Sequence, residues 1–530
     1  MSPMKKVNRP ARSPREITTS GGDFLDLPPS IPVQDIKETT TTDVVVIGAG
    51  IAGMTAAVSA AEAGARVVLL EKGPGYNFRG LHNAAIAGRL QKEAGIKVDK
   101  ERLIYTIMET AAYRGDQQVV KIWADNCDDA MDWLLDMADE AGIDVVLDPT
   151  TKPWYFPNYP LIYVFMPGRQ ETLAGMLYAR ARSLGVDFCF ETPAVRLRRK
   201  GKGKVTGVLV RNNVGEYLQF NAGKAVVLCT GDYGSDRRMV EKYCWEGVSK
   251  LPSLYPGMTE IAYAAQKIHG PYNKEPNTGD GHKMGMWIGA AIDDPPHCAM
   301  LFDYTIWSGA KLFDLARQPW LYVNLKGERF MNEDIPWGYE CAQLMQQPGN
   351  IAWSIWDAKY DQEWPKMRSQ CCKNMGPPTN LWNPKWLDDA IKEGNVLTAR
   401  TIEELARKMD VPVEIFKATV ARYNEMAYRG KDLDFGKHPD RLTTVEEPLF
   451  YATQVTAVFL VILGGLKINH RLQVLDTGGK AIPGLYAAGN VSGSFFGSQY
   501  PTTAPGLSHS RAWTFGRLAG MNAAAEKRNS

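Results

Sequence analysis

The stretch Asp43-Val-Val-Val-Ile-Gly-Ala-Gly-Ile-Ala-Gly53 decides how the first half of this chain folds. Its apolar run predicts a buried strand, and the Ala-rich sequence after it predicts a helix that ends at Gly64. A second apolar strand, Arg66–Leu70, leads directly to Glu71. This order of strand, glycine-rich turn, helix and strand predicts a βαβ unit that binds a dinucleotide.

The three glycines of this motif have separate physical roles. Gly48 permits the tight turn, Gly50 leaves room for a pyrophosphate, and Gly53 lets the helix pack closely on the strand. The N-terminus of the helix offers N–H donors and positive potential to the phosphates. Glu71 lies eighteen residues after Gly53, where it can accept hydrogen bonds from ribose hydroxyls. The motif leaves both NAD and FAD open.

Length and charge restrict the class of protein further. At 530 residues, the chain is too long for one ordinary core, and two or three domains are expected. The formal net charge is +2, and five cations fall in the first sixteen residues, so the rest of the chain is nearly balanced. Because nucleic-acid binding needs a concentrated basic face, we expect no nucleic-acid partner.

The cysteines, histidines and apolar runs indicate no metal and no membrane span. The eight cysteines form no CxxC or haem-attachment pattern, and the histidines show no HxxH or HExxH spacing, so we expect reduced thiols and no metal site. The long uncharged stretch Leu449–Leu466 is β-branched in its densest part, which favours a buried strand over a transmembrane helix. The sequence thus predicts a cytoplasmic protein without integral membrane contact.

The remaining patterns predict a discontinuous α/β protein. We expect an extended leader at 1–38, a first part of a Rossmann-like domain at 39–293, an inserted α+β capping domain at 294–446, and a second Rossmann part at 447–530. Helix periodicity runs through Lys100–Ala141. Its predicted N-caps and its stop are Asp99, Asp116 and Gly142.

Several segments together resemble the flavoprotein family of fumarate reductases, succinate dehydrogenases and 3-ketosteroid dehydrogenases. The resemblance covers nearly all of 41–526, and the segments that carry it are Asp43–Lys72, Cys229–Gly234, Asn277–Gly281, Val323–Glu333, Gly484–Asn490 and Phe515–Arg517. It implies an extended FAD and a capping domain that closes over the flavin ring. It also implies hydride transfer between the flavin and a substrate carbon.

The motif and the resemblance together imply a set of FAD-binding residues. They are Gly48, Gly50, Ala52, Gly53, Glu71, Lys72, His82, Thr230, Gly231, Asp280, Gly489, Asn490, Gly506 and Leu507. His82 lies near the position where some relatives attach FAD to histidine, but the surrounding match is loose, so we expect non-covalent FAD. No haem, cluster or second dinucleotide motif is found, so electrons must come from reduced nicotinamide or a separate donor protein.

The sequence departs from the dicarboxylate branch at three positions. Trp337 stands where fumarate reductases have a proton-donating arginine, the apolar run Leu460–Leu463 replaces a carboxylate-binding histidine, and Tyr500 replaces a second arginine. A dianion against these side chains would lose its hydration without gaining a partner. Fumarate is therefore not the expected substrate.

The residues at these positions resemble the ketosteroid side of the family instead. Gly489-Asn490 and Tyr500 match that side, and the resemblance implies that Tyr500 donates a hydrogen bond to a substrate ketone. The proton-abstracting tyrosine of those enzymes aligns with Trp337, and Tyr339 lies two residues further on. Tyr500 and Trp337 could also be packed aromatic residues, and Tyr339 could be an ordinary surface tyrosine.

The expected activity is reduction of a C=C bond conjugated to a ketone in a steroid or bile-acid-like substrate. The segment Leu81–Lys100 resembles reductases of anaerobic gut bacteria, which favours reduction over the reverse reaction. Three alternatives remain open at this stage. They are a 3-ketosteroid dehydrogenase, a reductase of unsaturated acids such as urocanate or fumarate, and a flavin electron-transfer subunit without a substrate of its own.

Overall fold

A computed structural model describes residues 24–80, 82–148, 156, 159–251, 277–305, 313–367 and 384–528. Most of the expected leader (1–23) and the cysteine pair Cys371-Cys372 lie outside the described residues. Among the helices that the structure describes, none has the length and apolar character needed to cross a membrane.

The strands alternate with helices along most of the chain. The strands are β1 (Ile36–Ile47), β2 (Val67–Leu70), β3 (Asn83–Ala84), β4 (Val145–Asp148), β5 (Ile162–Phe165), β6 (Asp187–Cys189), β7 (Ala194–Arg199), β8 (Val205–Arg211), β9 (Tyr217–Leu228), β10 (Ala299–Thr305), β11 (Leu321–Asn324), β12 (Ile351–Trp356), β13 (Leu397–Ala399), β14 (Phe450–Ile462), β15 (Gln473–Leu475) and β16 (Ala481–Ala487).

The helices vary from one turn to seven turns. They are α1 (Ile51–Glu62), α2 (Arg89–Glu93), α3 (Lys100–Thr110), α4 (Gln117–Ala141), α5 (Gln170–Ser183), α6 (Arg237–Tyr243), α7 (Glu246–Ser249), α8 (Asp280–Trp287), α9 (Phe313–Ala316), α10 (Trp337–Leu344), α11 (Tyr360–Met367), α12 (Lys385–Lys392), α13 (Ile402–Met409), α14 (Val413–Arg429) and α15 (Leu507–Ala525). Short 3-10 helices lie at Val33–Asp35, Pro348–Asn350, Pro439–Arg441 and Gly489–Val491.

A largely parallel sheet forms the first layer, as the sequence predicts. Its central strands follow the order β16-β9-β1-β2-β6, and every neighbouring pair in this order is parallel. Strand β15 pairs antiparallel with β16, and β7 and β8 extend the sheet from β9. The first half of β1 is largely exposed, whereas Val44–Ile47 are buried. The predicted βαβ unit is therefore confirmed.

The predicted helix ends are also confirmed. The side chain of Asp99 accepts a hydrogen bond from the N–H of Arg102 at 2.9 Å, and Asp116 accepts one from Gln118 at 2.8 Å. Gly142 ends α4 with a φ of 65°, a left-handed conformation that glycine adopts without steric cost. These caps are local, so the sequence alone was sufficient to locate them.

Helix α15 lies directly against α1, and two glycines allow the contact. A Cβ atom on Gly516 would overlap the carbonyl oxygen of Ala52, and one on Gly520 would overlap that of Ala56. The close crossing carries the N-terminus of α15 towards β3, because a Cβ atom on Gly506 would lie 2.9 Å from the carbonyl carbon of Asn83. The start of α15 is thereby fixed beside β3.

A second, antiparallel sheet contains the later strands. Its order is β10-β14-β12-β11, and β13 also pairs with β14. The apolar stretch predicted as a buried strand is β14, which confirms that prediction. However, β14 pairs with β10 and β12 in this second sheet, whereas the sequence-based boundary at 446 would place it in the Rossmann part. We therefore propose that the inserted part comprises residues 294–462.

Candidate active site

The glycine-rich turn has the shape that the sequence predicts. Gly48 has a φ of +107°, and a Cβ atom on it would overlap the carbonyl oxygen of Cys229. A Cβ atom on Gly53 would overlap the carbonyl oxygen of Gly48, so the start of α1 touches the turn. Gly50, by contrast, has no described atom within 4 Å of an added Cβ. Its open side, at the N-terminus of α1, suits a pyrophosphate.

The carboxylate of Glu71 is fixed at the end of β2. One oxygen accepts the N–H of Ala49 at 2.8 Å, and the other accepts the N–H of Gly73 at 2.7 Å. Each oxygen retains a second lone pair, so ribose hydroxyls can still donate to it. The sequence did not show that Glu71 also ties the end of β2 to the glycine-rich turn.

Lys72 and Asp280, both predicted to bind FAD, contact each other. The Nζ of Lys72 donates to Asp280 Oδ2 at 2.8 Å and to Thr278 Oγ1 at 2.9 Å. Burial alone would raise the pKa of Asp280, but the charge and hydrogen bond of Lys72 lower it below its usual value. The start of α8 is thus held against the end of β2 by an ionised pair.

The end of β9 provides a polar group for which the protein offers no partner. Thr230 Oγ1 is buried and has no hydrogen-bond partner among the described residues. Gly281 makes room for it, because a Cβ atom there would overlap this hydroxyl. Gly231 continues the turn with a φ of +74°. Since buried hydroxyls are normally satisfied, this orphaned group fits a site that a ligand completes.

Of the C-terminal candidates, Gly489 lies next to α1. A Cβ atom on Gly489 would lie 3.0 Å from the Cβ of Ala52 in α1. Gly506, beside Asn83 of β3, is the N-cap of α15, and Leu507 is its first residue. These residues, the open turn at Gly50 and the orphaned Thr230 are the candidate cradle for FAD.

His82 is buried next to the start of α15. The His509 Nδ1 lies 3.0 Å from the backbone carbonyl oxygen of His82 and donates to it. A Cβ atom on Gly80 would overlap the imidazole ring of His509. The segment that carries His82 is therefore packed on α15, as expected for a residue beside the cofactor.

Tyr500 lies in the loop before α15, with only 7% of its surface exposed. The backbone N–H of Ser508, in the first turn of α15, donates to its hydroxyl oxygen at 3.2 Å. The ring packs on Phe496 with centroids 5.4 Å apart. A phenol that accepts from a helix N-terminus has its proton polarised, which makes it a better donor to a substrate oxygen.

The two other predicted catalytic residues begin helix α10. Trp337 is buried, packs edge-on against Phe302 at 4.6 Å, and has no partner for its indole N–H among the described residues. Tyr339 is 37% exposed, and its ring lies 6.2 Å from that of Phe156.

The start of α10 adjoins the Tyr500 loop. A Cβ atom on Gly338 would lie 2.8 Å from Gln499 Oε1. Gly338 lies between Trp337 and Tyr339 in sequence, and Gln499 immediately precedes Tyr500. The start of the helix that carries Trp337 and Tyr339 therefore adjoins the loop that carries Tyr500.

Buried ion pairs fix the segment that leads to Trp337. Arg329 donates to both oxygens of Glu333 at 2.8 and 2.9 Å and also to Asp432. The Nζ of Lys437 lies 3.3 Å from Glu333 Oε2 and donates to the hydroxyl of Tyr423 at 2.7 Å. Glu333, at the end of the segment Val323–Glu333 noted in the sequence, thus binds Arg329 and Lys437 and fixes the chain just before Trp337.

The two chain crossings between the Rossmann part and the inserted part lie side by side. The N–H of Asp293 donates to the carbonyl of Gly465 at 2.9 Å, and the N–H of Leu463 donates to that of Cys298 at 2.8 Å. The carboxylate of Asp293 also accepts from the N–H groups of Gly465 and Ser494. Burial raises the pKa of Asp293 to about 6.

A chain of buried polar groups continues from this crossing. His297 Nε2 lies 2.8 Å from the carbonyl oxygen of Asp293, and its Nδ1 lies 2.6 Å from the Tyr233 hydroxyl. Because a carbonyl only accepts, Nε2 carries the proton and Nδ1 accepts from Tyr233. Burial lowers the pKa of His297 to about 4 and that of the neighbouring His282 to about 3.

These histidines predict acid sensitivity. His282, His297 and His509 have pKa values of about 3 to 4 when folded, against about 6.5 when unfolded. The unfolded chain therefore binds more protons, and the stabilisation present above pH 6.5 is lost as the pH falls towards 4. The raised pKa of Asp293 has the opposite effect and offsets a smaller part of this loss of stability.

We expect the free energy of unfolding to fall by several kcal/mol between pH 7 and pH 4. Urea denaturation at pH 7, 5.5 and 4 measures it. His297→Gln should flatten this pH dependence, whereas His470→Gln, at an exposed position, should leave it unchanged. If both variants showed the same dependence of the free energy of unfolding on pH, the assignment of this acid sensitivity to the buried histidines would be contradicted.

Sequence reasoning missed Arg511. It is fully buried in α15 and donates to the carbonyls of Gly489 and Ser492, both at 3.0 Å, and to Asn490 Oδ1 at 3.2 Å. A signal was present, because Arg511 is the only Asp, Glu, Lys or Arg between Lys480 and Arg517. A single cation in such an apolar segment points to a specific buried role.

Comparison with known proteins agrees with this geometry. The fold and the cradle define a dinucleotide-binding flavoprotein. The chain matches the family described as FAD binding domain over residues 43–507, and it belongs to that family. It is a flavin-dependent oxidoreductase that acts on C=C or CH–CH groups, with FAD as its cofactor. The predicted fold class and cofactor are thereby confirmed.

Three similar proteins illustrate the range of the family. Vinyl phenol reductase of Lactiplantibacillus plantarum is 29% identical, covering 91% of this chain and 96% of the relative. Fumarate reductase (cytochrome) of Shewanella frigidimarina is 28% identical, covering 91% and 77%. The structure of 3-ketosteroid Δ1-dehydrogenase from Sterolibacterium denitrificans, at 21% identity, superposes with a TM-score of 0.71, covers 92% and 100%, and shows the shared fold.

Proposed function

We propose that this protein reduces a C=C bond conjugated to a ketone in a bulky, mostly apolar substrate of the steroid or bile-acid type. The observation that carries the proposal is Tyr500, a nearly buried phenol whose oxygen already accepts from the N–H of Ser508. A phenol hydroxyl is a donor as well as an acceptor, so it can donate a hydrogen bond to a substrate ketone. Reduced nicotinamide or a donor protein supplies the electrons, and we place the enzyme in the cytoplasm.

The proposed FAD site uses the residues of the cradle. Gly48, Gly50, Ala52 and Gly53 would hold the pyrophosphate, and Glu71 would accept from the ribose hydroxyls. The other residues that would bind FAD, without a covalent bond, are Lys72, His82, Thr230, Gly231, Asp280, Gly489, Asn490, Gly506 and Leu507. Bound FAD, once reduced, supplies the hydride that is added to the β-carbon of the substrate.

The next step concerns the negative charge that develops on the substrate and the proton that the substrate takes up. As the β-carbon receives hydride, negative charge develops on the ketone oxygen, and the Tyr500 hydroxyl stabilises it. The enolate then takes a proton at the α-carbon, which completes the addition of two hydrogens across the former double bond. Tyr339 or a water molecule delivers this proton, and Trp337 forms a wall of the pocket. Tyr339 can exchange its proton with solvent because it is partly exposed.

Three positions that match the carboxylate-binding and proton-donating residues of fumarate reductases disfavour a dicarboxylate. Val461 and Leu463 are buried apolar side chains in the stretch that matches the histidine. Tyr500 and Trp337 stand at the two arginine positions. At these three positions the chain itself offers a carboxylate no cationic partner that would compensate for lost hydration.

A second candidate is reduction of an alkene conjugated to a phenol. Vinyl phenol reductase matches this chain over almost its whole length, and a phenol oxygen could take the place of the ketone at Tyr500. The two substrate classes share an apolar body and one polar oxygen. The two candidate functions therefore differ only in which substrate the enzyme reduces.

The test is anaerobic reduction of the FAD-loaded enzyme with dithionite, followed by mixing with single substrates. We expect rapid return of flavin absorbance with a 3-oxo-Δ4 or 3-oxo-Δ1 steroid, and reoxidation at least a hundredfold slower with fumarate or urocanate. Faster reoxidation by 4-vinylphenol would support the second candidate. Fumarate turnover comparable to the steroid's would refute both. No reoxidation by any compound would favour the electron-transfer subunit.

A further inference from the structure

Arg511 lies beneath the turn that carries two of the candidate FAD residues. Its guanidinium holds the carbonyl of Gly489, the side chain of Asn490 and the carbonyl of Ser492. These three hydrogen bonds from one rigid, planar group fix the conformation of this short turn. The group also lies 4.8 Å from the ring centroid of Phe496, the residue that packs on Tyr500.

The charge of Arg511 is not neutralised by a direct ion pair. No carboxylate of the described residues lies within 4 Å of its nitrogens, and its Nε has no hydrogen-bond partner among them. Asp293 is the acidic group that acts on it, but both Asp293 oxygens accept backbone N–H groups. Burial lowers the pKa of Arg511 to about 10, so the group remains charged at neutral pH.

A buried cation without a direct ion pair is costly to desolvate. Neutral side chains could pack in this apolar segment at a lower desolvation cost. Two nitrogens of Arg511 donate to carbonyl groups of the turn, and Asp293 acts on its charge without a direct ion pair. The first turn of α15, at Gly506 and Leu507, adds positive potential from the same helix. Both point to a negative charge that develops nearby.

We propose that Arg511 is a positioning residue that fixes the Gly489–Ser492 turn and raises the reduction potential of the bound flavin. Two-electron reduction increases the electron density of the flavin ring, and a nearby cation stabilises the reduced form more than the oxidised form. The proposal rests on the FAD assignment and is independent of which alkene the enzyme reduces. A tenfold change in the stabilisation of reduced flavin relative to oxidised flavin corresponds to about 30 mV for a two-electron couple.

The test is the midpoint potential of FAD bound to Arg511→Gln, Arg511→Lys and Arg517→Gln, measured by dye-coupled spectrophotometric titration. Arg511→Gln should lower the potential by about 30 mV or more, which is a tenfold change. Arg511→Lys should have a midpoint potential close to that of the wild type but release FAD more readily. One ammonium group cannot reproduce three hydrogen bonds in a plane. Arg517 lies on the same helix and contacts Trp133 instead, so its variant should match the wild type.

An unchanged potential in Arg511→Gln would overturn the proposal, as would an equal fall in the Gln and Lys variants. If Arg511→Gln retains no FAD, Asp293→Asn gives the second measurement. Removing the neighbouring negative charge should raise the potential, and an unchanged or lower value would contradict the proposal. Neither result depends on substrate turnover, so failure here is distinguishable from failure of the proposed activity.

Discussion

Replacing Tyr500 with phenylalanine should slow reoxidation of the reduced flavin by a steroid enone about 100- to 1000-fold, while FAD stays bound. The hydroxyl matters most when the substrate oxygen carries negative charge, so its loss raises the barrier more than it weakens substrate binding. The ring and its contact with Phe496 remain in the variant. Rapid mixing of the reduced variant with substrate under anaerobic conditions measures the rate.

Two further tyrosine variants make this experiment specific. Tyr428→Phe, at an exposed position of α14, removes a hydroxyl far from the Tyr500 loop in sequence and should leave the rate unchanged. Tyr339→Phe should slow the step about a hundredfold and alter its solvent isotope effect if Tyr339 delivers the proton. A small effect would assign the proton to water. A wild-type rate in Tyr500→Phe would require a different substrate orientation and a different substrate class.

The Gly50→Val variant should be folded but colourless. No described atom lies within 4 Å of a Cβ on Gly50, so the protein itself tolerates the side chain. The valine would instead occupy the space expected for the pyrophosphate. We expect loss of FAD by more than a hundredfold in affinity, measured by flavin fluorescence, with the circular dichroism spectrum of the apoprotein preserved.

Gly53→Ala is the matched comparison for this result. Its methyl group would overlap the carbonyl oxygen of Gly48, so we expect the apoprotein itself to be destabilised. The two variants separate cofactor binding from folding within one six-residue turn. Full flavin retention by Gly50→Val would place the pyrophosphate elsewhere and refute the assigned role of the motif.

Features set by short-range patterns could be predicted from the sequence. The βαβ unit, the caps at Asp99 and Asp116, and the buried strand β14 depend on residues only a few positions apart. The sheet that β14 joins depends on pairing with β10, about 150 residues earlier. An apolar strand has the same pattern in either sheet, so the sequence alone does not show which side of a domain boundary β14 belongs to.

The sequence proposes candidate site residues but not their arrangement. Resemblance supplied Tyr500, Tyr339 and Trp337, but the close approach of Gly338 to Gln499, which puts the start of α10 beside the Tyr500 loop, joins residues about 160 positions apart. The second hydrogen bond of Glu71 and the burial of Arg511 likewise follow from packing between distant segments. A charged side chain gives no local signal of being buried, and only the lack of other charges around it was informative.

The adjacency of the two chain crossings has an implication for how this enzyme could diversify. In the division proposed above, the chain leaves the Rossmann part at Asp293 and re-enters it beside Gly465, so residues 294–462 form an insertion with neighbouring ends. This insertion shares a buried core with the preceding part of the chain, because Tyr233, Met239 and Tyr243 pack in one cluster with Leu301, Val455 and Phe459. Chimeras joined at these two points would therefore keep their fold only if the residues on both sides of this shared core were exchanged together.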